Sequence, residues 1–162
     1  MWILDWRYKL IMYSRPIVPS DFIVPEKFEN SEFILKPLTI RDVIQDYEAV
    51  MSSIGHLKGL MDDSGWPEGL TIEENLIDLG WHQREFTERH SFAYTVLSPI
   101  DHKCIGCCYI YPSQKKEFEV QAFYWIRKDL LSDGLEDRFG KFFKDWVRED
   151  WPFKTAEFPG RD

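Results

Sequence analysis

The stretch from residue 118 to residue 149 constrains the fold most, because its apolar period changes from that of a strand to that of a helix. Residues 118–126 are apolar, aromatic and β-branched, which is typical of a largely buried strand. From Leu135 the apolar residues recur with the spacing of one helical face. Asp133, with Glu136 three residues on, predicts a capping box at the helix start. A strand that leads through a turn into a helix exposes unpaired N–H groups, which can hold a phosphate.

Further strands and helices are predicted on both sides of this stretch. Thr39 with Asp42, and Thr71 with Glu74, predict the starts of two helices, the second running to about Arg89. Strands are predicted at 32–38, 91–97, 104–111 and 154–158. The order β-α-α-β-β-β-α-β predicts an α+β fold with a mixed sheet. The apolar helix faces are expected to be Ile40, Val43, Ile44, Tyr47, Val50 and Met51 in the first helix and Ile72, Leu76, Leu79 and Phe86 in the second.

The N-terminal residues are expected to pack on the domain that follows them. Residues 1–31 carry Pro16, Pro19 and Pro25 among aromatic and aliphatic side chains. The prolines exclude one regular element, and the apolar content is too high for a free tail. We therefore predict an N-terminal extension, 1–31, on a single domain, 32–162.

Charge and hydropathy narrow the set of partners and compartments. The chain has 20 basic and 28 acidic residues and a net charge of −8, so we expect no nucleic-acid partner. No run is long and apolar enough to span a membrane, and the apolar start lacks a cleavage site, so we expect neither a membrane partner nor a signal peptide. An odd number of cysteines within five positions is no disulfide framework, which predicts a reducing cytoplasm.

The cysteines themselves, Cys104, Cys107 and Cys108, lie in an apolar strand. A zinc site needs four ligands, and only His102 is close in sequence. We therefore expect small core residues and no metal. Gly106 between them predicts a bulge or a close backbone approach.

The element order, centred on a strand, a turn and a helix, resembles the GNAT superfamily of acyl-CoA-dependent N-acyltransferases. The stretches that carry the resemblance are FILKPLTIRDVIQDYEAVM, FAYTVLSPIDHKCIGCCYIYP and FYWIRKDLLSDGLEDRFGKFFKDWV, within residues 32–158. The resemblance implies a GNAT-like α+β fold, in which a central mixed, mostly antiparallel sheet is flanked by helices. It also implies acetyl-CoA as co-substrate and transfer of its acetyl group to a small-molecule amine.

The resemblance also implies where the cofactor would bind. The pantetheine arm would run along the strand at 123–126, and the pyrophosphate would lie on amides of the following turn. The implied cofactor-binding residues are Trp125, Ile126, Arg127, Lys128, Ser132, Asp133, Gly134 and Leu135.

The turn departs from the family pattern in ways that bear on phosphate binding. The family turn is rich in glycine, whereas 127–134 reads RKDLLSDG, and Asp129, Asp133, Glu136 and Asp137 crowd the helix start. These carboxylates repel an anion, and only Arg127 and Lys128 offset them. The family also normally continues past its fifth strand with a further helix and two strands, whereas this sequence stops near Asp162. Both departures favour an alternative, a catalytically reduced GNAT-like ligand-binding or interaction module.

Catalytic and acceptor-binding roles follow from the same resemblance. Glu119 is the candidate base for the amine proton and Tyr124 the candidate acid for the thiolate. Trp66, Trp81 and His82 are candidate walls of the acceptor site. Each has a structural alternative, a solvated charge for Glu119 and core packing for Tyr124 and His82. A homodimer is an open alternative to a monomer.

Overall fold

The computed structural model describes residues 14–61 and 65–161. In chain order the elements are β1 Phe28–Glu29, β2 Ile34–Pro37, a 3-10 turn Ile40–Asp42, α1 Val43–Met51, α2 Ile54–Leu57, α3 Ile72–Glu88, β3 Phe92–Leu97, β4 Cys104–Pro112, β5 Val120–Ile126, a 3-10 helix Lys128–Asp133, α4 Leu135–Glu149 and β6 Ala156–Glu157.

The strands form one six-stranded sheet in the order β1-β2-β3-β4-β5-β6. Every neighbouring pair is antiparallel except β5 and β6, which run parallel. The parallel pairing joins Val120 to Ala156 and Gln121 to Glu157. The predicted mixed, mostly antiparallel sheet flanked by helices is therefore confirmed.

Each face of the sheet carries its own hydrophobic core. On one face α4 packs its aromatic stripe, centred on Phe139 and Phe143, against the even-numbered residues of β5. On the other face α1, α2 and α3 cover the odd-numbered residues, including Trp125. Strand alternation therefore separates the two sets of β5 side chains by the thickness of the sheet.

Two of the three predicted helix starts have the predicted caps. Thr39 with Asp42, and Thr71 with Glu74, form complete capping boxes. The predicted box of Asp133 and Glu136 is wrong, because α4 starts after Gly134, which has φ 67° and gives no side-chain cap. The Glu136 carboxylate turns back towards β5 instead.

The buried face of α3 differs from the prediction. Leu76 is 43% exposed and Ile72 is also exposed, whereas the polar Asn75, Asp78 and His82 are buried. These polar residues meet polar groups of α1 and the sheet, for example the Asp46 carboxylate, which accepts a hydrogen bond from Asn75 Nδ2 at 2.9 Å. A hydrophobicity pattern cannot predict a helix face that is buried against polar partners.

The first helix shows a smaller deviation of the same kind. Val50 is buried as predicted, and Val43, Tyr47 and Met51 are partly buried beside it. The 3-10 turn residue Ile40 and the α1 residue Ile44 are exposed, contrary to prediction. Their positions turn outward because the polar Asp46 faces the sheet.

A bulge lies where Gly106 predicts one. Leu97 pairs with Cys104 but Val96 pairs with Gly106, so Ile105 is the extra residue of β4. A side chain at Gly106 would collide with the Trp125 carbonyl. The extra residue reverses the strand's alternation, so Cys104 and Cys107 face the same core although three positions separate them.

Residues 14–31 contact the sheet and the end of α3. The Ile17 N–H donates to the Arg89 carbonyl at 2.9 Å, and Tyr94 Oη donates to the Pro25 carbonyl at 2.7 Å. Residues 1–13 of the predicted extension lie outside the described residues, and its boundary at residue 31 stays a prediction. Among the described residues, none of the helices is long and apolar enough to cross a bilayer.

Candidate active site

The outer edge of β5 is the centre of the candidate site. The Arg127 N–H donates to the Ile105 carbonyl of β4, so the odd-numbered residues of β5 direct their backbone groups at β4. The even-numbered residues then direct theirs at the opposite edge. In the described part of the chain β6 pairs with β5 only at Val120 and Gln121. Residues 122–126 therefore present an edge with no strand partner there.

Two charged side chains bond to this edge. Glu136 Oε1 accepts the Ile126 N–H at 3.1 Å, and Arg161 NH2 donates to the Tyr124 carbonyl at 3.4 Å. Glu136 and Arg161 also bond to each other at 3.1 Å. One carboxylate and one guanidinium thus occupy a donor and an acceptor of the strand edge.

Glu136 has a third partner, His56 of α2, whose Nε2 lies 2.8 Å from Oε1. Burial alone would raise the pKa of Glu136, but hydrogen bonds from Arg161, His56 and the Ile126 N–H outweigh it and lower the pKa. The carboxylate is therefore ionised at neutral pH and joins α2, β5 and the C-terminal turn.

Arg161 is held by a turn that folds back against α4. Its N–H donates to the Phe158 carbonyl at 3.0 Å, and Phe158 is fully buried. The Lys144 ammonium donates to the Arg161 carbonyl. The guanidinium lies 4.6 Å from the ring centroid of Tyr124, a cation–π distance.

The amides of the turn after β5 are largely used within the protein. The Lys128 N–H donates to Ser53 Oγ at 3.0 Å, and the Leu130 and Gly134 N–H groups bond carbonyls three residues back, as in a 3-10 helix. The turn between β5 and α4 therefore offers a phosphate fewer free donors than a glycine-rich loop would.

Arg127, the candidate phosphate ligand of this turn, is paired with two carboxylates. Its guanidinium donates to both Glu48 oxygens at 2.9 Å and to Asp129 at 2.7 Å. The hydrogen bonds that Arg127 donates to Glu48 are the main cause of the raised pKa of Arg127. A phosphate at Arg127 would have to displace one of these partners.

Two clefts border the region where β6 ends beside β5, one on each face of the sheet. The cleft on the α4 face has a volume of about 480 Å³ and is lined by Tyr124, Asp137, Gly140, Lys141, Lys144, Asp145, Arg148 and Arg161. The cleft on the other face has about 510 Å³ and is lined by Gly59, Leu60, Met61, Gln114, Lys115, Gln121, Phe123, Glu157, Pro159 and Gly160. The turn at 159–161 supplies residues to both.

The predicted catalytic residues lie at different places along β5. Tyr124 lines the α4-side cleft, and its phenol packs directly over Gly140. Burial raises the pKa of Tyr124, while Arg161 acts against that rise. Glu119 is exposed before the strand starts, where it accepts the Lys154 and Thr155 N–H groups at 2.5 and 3.4 Å.

The predicted acceptor walls lie on the opposite face of the sheet from Tyr124. Trp66 and Trp81 are partly buried at the edge of the α1–α3 core. His82 is buried, with its ring 5.4 Å from that of Tyr109 and its Nε2 3.5 Å from Asp78. The structure therefore places these three residues on the α1–α3 face of the sheet, away from Tyr124 on the α4 face.

Of the eight implied cofactor residues, two lie in β5, five lie between β5 and α4, and Leu135 is the first residue of α4. The Trp125 side chain is fully buried, and its Nε1–H donates to Tyr109 Oη at 3.2 Å. Ser132 and Asp133 are exposed, and Gly134 and Leu135 are half-buried at the start of α4. Only the Ile126 N–H contributes a backbone group to the β5 outer edge.

Sequence reasoning missed His56, Glu136, Glu157 and Arg161 as members of the site. Glu136 was read as a capping residue, and no local pattern marks His56 or Arg161, which reach the site from distant segments. Glu157, in the cleft opposite α4, accepts hydrogen bonds from Ser113 Oγ at 2.7 Å and from Lys115 Nζ at 2.5 Å. Its position in the last predicted strand was the only available signal.

Comparison with solved structures identifies the fold. The ribosomal-protein-S5-alanine acetyltransferase of Vibrio fischeri superposes with a TM-score of 0.59 at 16% identity, over 76% of this chain and 68% of that one. RimL, a ribosomal-protein α-N-acetyltransferase, gives 0.60 at 13% identity, over 82% and 71%. An acetyltransferase of Thermus thermophilus gives 0.53 at 17% identity, over 70% and 68%. This is the GNAT acetyltransferase fold. The sequence matches no protein-family model and no curated protein.

The GNAT fold gives the β5 edge its significance. By the resemblance, the pantetheine arm of acetyl-CoA pairs with the strand before the α4-type helix, which is β5. The edge where that arm would lie is the edge that Glu136 and Arg161 occupy. The predicted cofactor site and the internal charged pair therefore involve the same backbone groups of β5.

Proposed function

We propose that the protein is an N-acetyltransferase that moves the acetyl group of acetyl-CoA to a primary amine. The observation that carries the proposal is the end of β6 at Glu157, after which residues 122–126 of β5 have no strand partner among the described residues and lie between two clefts on opposite faces of the sheet. Such an opening lets a cofactor and an acceptor approach one reaction centre from two sides.

The α4-side cleft would take the cofactor. Lys141, Lys144 and Arg148 lie there beside Arg161 and suit the phosphates, although Asp137 and Asp145 offset part of their charge. The pantetheine arm would replace Glu136 at the Ile126 N–H and Arg161 at the Tyr124 carbonyl. Arg161, once released, would be available to the phosphates.

The cleft on the other face would take the acceptor. Glu157 is a buried carboxylate that can bind a cationic amine and accept its proton, and it lines this cleft, which Glu119 does not. We propose a small-molecule amine as acceptor. A protein N-terminal amine is the competing acceptor, since two of the similar structures are ribosomal-protein acetyltransferases by name.

The chemistry would be direct transfer within a ternary complex. The amine nitrogen attacks the thioester carbon, the carbon–sulfur bond breaks, and the thiolate leaves with the bonding pair. The amine proton goes to a carboxylate, and the thiolate takes a proton from an acid. Because burial raises the pKa of Tyr124, its phenol stays protonated at neutral pH and can act as that acid.

The first test is binding of acetyl-CoA, measured by calorimetry and by thermal shift. A ligand at a hundredfold excess over its Kd stabilises the folded state by about 2.7 kcal/mol, so binding should raise Tm measurably. The absence of both heat and a Tm shift at millimolar acetyl-CoA would refute the proposal.

The second test compares two carboxylates as acceptors of the amine proton. Acetyl transfer to a panel of small amines and N-terminal peptides is measured for Glu157→Gln and for Glu119→Gln. We expect Glu157→Gln to lower kcat/KM by about 10²–10⁴-fold, the usual contribution of general base catalysis, with acetyl-CoA affinity unchanged. A loss confined to Glu119→Gln would instead support the sequence-based assignment.

A catalytically reduced binding module is the second candidate. It is favoured by the charged pair at the β5 edge and by the commitment of Arg127 to Glu48 and Asp129. This candidate predicts that the wild type folds stably but does not bind acetyl-CoA. It predicts the same for Arg161→Ala, in which the Tyr124 carbonyl at the β5 edge is free of Arg161. Acetyl-CoA binding by the wild type would refute this second candidate.

The remaining partner assignments are proposals as well. We propose a cytoplasmic protein without nucleic-acid or membrane partners, which agrees with three free, buried thiols and a net charge of −8. A homodimer stays a prediction.

A further inference from the structure

A compact group of three ligand-type side chains lies in the core on the α1–α3 face, away from the β5 edge. Asp46 of α1 is 3% exposed, Cys104 of β4 is 2% exposed and Cys107 of β4 is fully buried. The Asp46 carboxylate and the two Sγ atoms all lie within 4.8 Å of one another. Cys107 Sγ–H donates to Asp46 Oδ1 at 3.3 Å.

The separations match those of ligands around one tetrahedral ion. Zinc–sulfur bonds of about 2.3 Å and zinc–oxygen bonds of about 2.0–2.2 Å place two ligand sulfurs about 3.8 Å apart and a sulfur and an oxygen about 3.5 Å apart. The observed 3.3 Å between Cys107 Sγ and Asp46 Oδ1 is close to the second value. Small side-chain movements would therefore bring all three atoms to bonding distance.

The fold brings these ligands together in a way that sequence spacing does not reveal. In a regular strand, residues three apart point to opposite faces, but the extra residue Ile105 puts Cys104 and Cys107 on the same face. The third group, Asp46, comes from a helix nearly sixty residues earlier, so the short C-x-x-C sequence shows only part of the set.

The Asp46 carboxylate is buried, and the hydrogen bonds it accepts come from neutral groups. Its hydrogen-bond donors are the Asn75 amide at 2.9 Å and the Cys107 thiol, and within residues 14–61 and 65–161 no Lys or Arg pairs with it. Buried carboxylates are normally paired with a cation or bound to a metal.

The groups around the three ligands suit a metal site. Asn75 orients Asp46, and Thr95 Oγ1 donates to Cys104 Sγ at 3.6 Å, as outer partners of ligands do. The Cys104 N–H is fixed by Gln45 Oε1 at 3.0 Å. Cys104 also lines a cleft of about 630 Å³ between α1 and the β3–β4 turn, whereas Asp46 and Cys107 lie behind it.

We infer that Asp46, Cys104 and Cys107 form a binding site for Zn²⁺ or a cation of similar softness, with water as the fourth ligand. Both thiols lose their protons to solvent on binding, and the two thiolates and the carboxylate coordinate the ion. The site would tie α1 to the bulge of β4, and none of its ligands lies at the β5 edge. It is independent of the proposed acetyl transfer.

Titration with Co²⁺ tests the ligand set. Two thiolates produce a sulfur-to-cobalt charge-transfer band in the near ultraviolet, and Zn²⁺ should abolish it by displacement. We expect Cys104→Ala and Cys107→Ala to weaken binding by more than about 100-fold and Asn75→Ala by about 10–100-fold, the usual cost of an outer partner.

Cys108→Ala is the matched control, since Cys108 is equally buried in β4 but belongs to the opposite core. It should leave the band and the affinity unchanged. A band that survives Cys104→Ala or Cys107→Ala, or that disappears in Cys108→Ala, would overturn the assignment.

A measurement on the wild type keeps the test valid if the cysteine variants do not fold. The full-length protein is loaded with Zn²⁺ and dialysed, and X-ray absorption at the zinc edge counts the sulfur neighbours. Two sulfurs at about 2.3 Å with light-atom neighbours are expected. Loss of zinc on dialysis, or a shell of light atoms alone, would refute the inference.

Discussion

Replacement of Glu136 by alanine should destabilise the protein much more than loss of a first-turn acid normally does. The change leaves the buried Ile126 N–H without its acceptor, which costs about 1–3 kcal/mol. It also removes the pair with Arg161, both side chains being partly screened by solvent, which adds about 0.2–1 kcal/mol. Together these two losses should lower the free energy of unfolding by about 1–4 kcal/mol.

The matched control is Asp137→Ala, which removes an exposed acid from the same helical turn. Its loss should cost only the interaction with the helix dipole, about 0.3–1 kcal/mol. Urea unfolding followed by the fluorescence of the seven tryptophans measures both variants. Equal losses for the two variants would refute the assigned role of Glu136.

The pH dependence gives a second criterion for the same residue. The folded-state pKa of Glu136 lies below its ordinary value of 4.5, so its ionic contribution is fully present above pH 4.5 and is lost as the pH falls through the lower, folded value. The stability difference between wild type and Glu136→Ala should therefore narrow in acid. A stability difference between wild type and Glu136→Ala that stays constant from neutral pH to well below pH 4.5 would contradict the lowered pKa.

Three further substitutions test the packing of the core between the sheet and α4. Gly140→Ala should cost about 1–3 kcal/mol in urea unfolding, because its methyl group would overlap the Tyr124 phenol. Tyr94→Phe should cost about 1 kcal/mol, because it removes the hydrogen bond to the Pro25 carbonyl. Phe143→Ala should cost about 3–5 kcal/mol, because the ring is fully buried between β5 and α4.

Gly55→Ala is the control for Gly140→Ala, since a methyl group at Gly55 meets nothing within 4 Å. It should be neutral or slightly stabilising because alanine favours the helix. A Gly140→Ala variant as stable as Gly55→Ala, a neutral Tyr94→Phe, or a Phe143→Ala loss under about 1 kcal/mol would each contradict the packing described.

Much of the fold follows from local sequence. The capping boxes at Thr39 and Thr71, the strand runs and the helical period after Leu135 each depend on residues a few positions apart. Gly106 also announces the bulge, because only a residue without a side chain fits against the Trp125 carbonyl. Interactions of short sequence range are those that a pattern can predict.

The candidate site was less predictable, because its contacts join distant segments. His56, Glu136 and Arg161 meet across eighty and twenty-five positions, and no spacing rule relates them. The hydrophobic pattern also predicted the wrong buried face of α3. Asn75 is buried because it bonds to Asp46 of α1, although its side chain is polar. In both cases the prediction failed for polar groups whose hydrogen-bond partners lie far away in the sequence.

The charged pair at the outer edge of β5 also bears on how the protein avoids self-association. A strand edge with free donors and acceptors is a template on which another chain can add a strand. Glu136 and Arg161 occupy one donor and one acceptor of that edge and place opposite charges beside it. When no ligand covers the edge, Glu136 and Arg161 therefore make it less available for pairing with a strand of another chain.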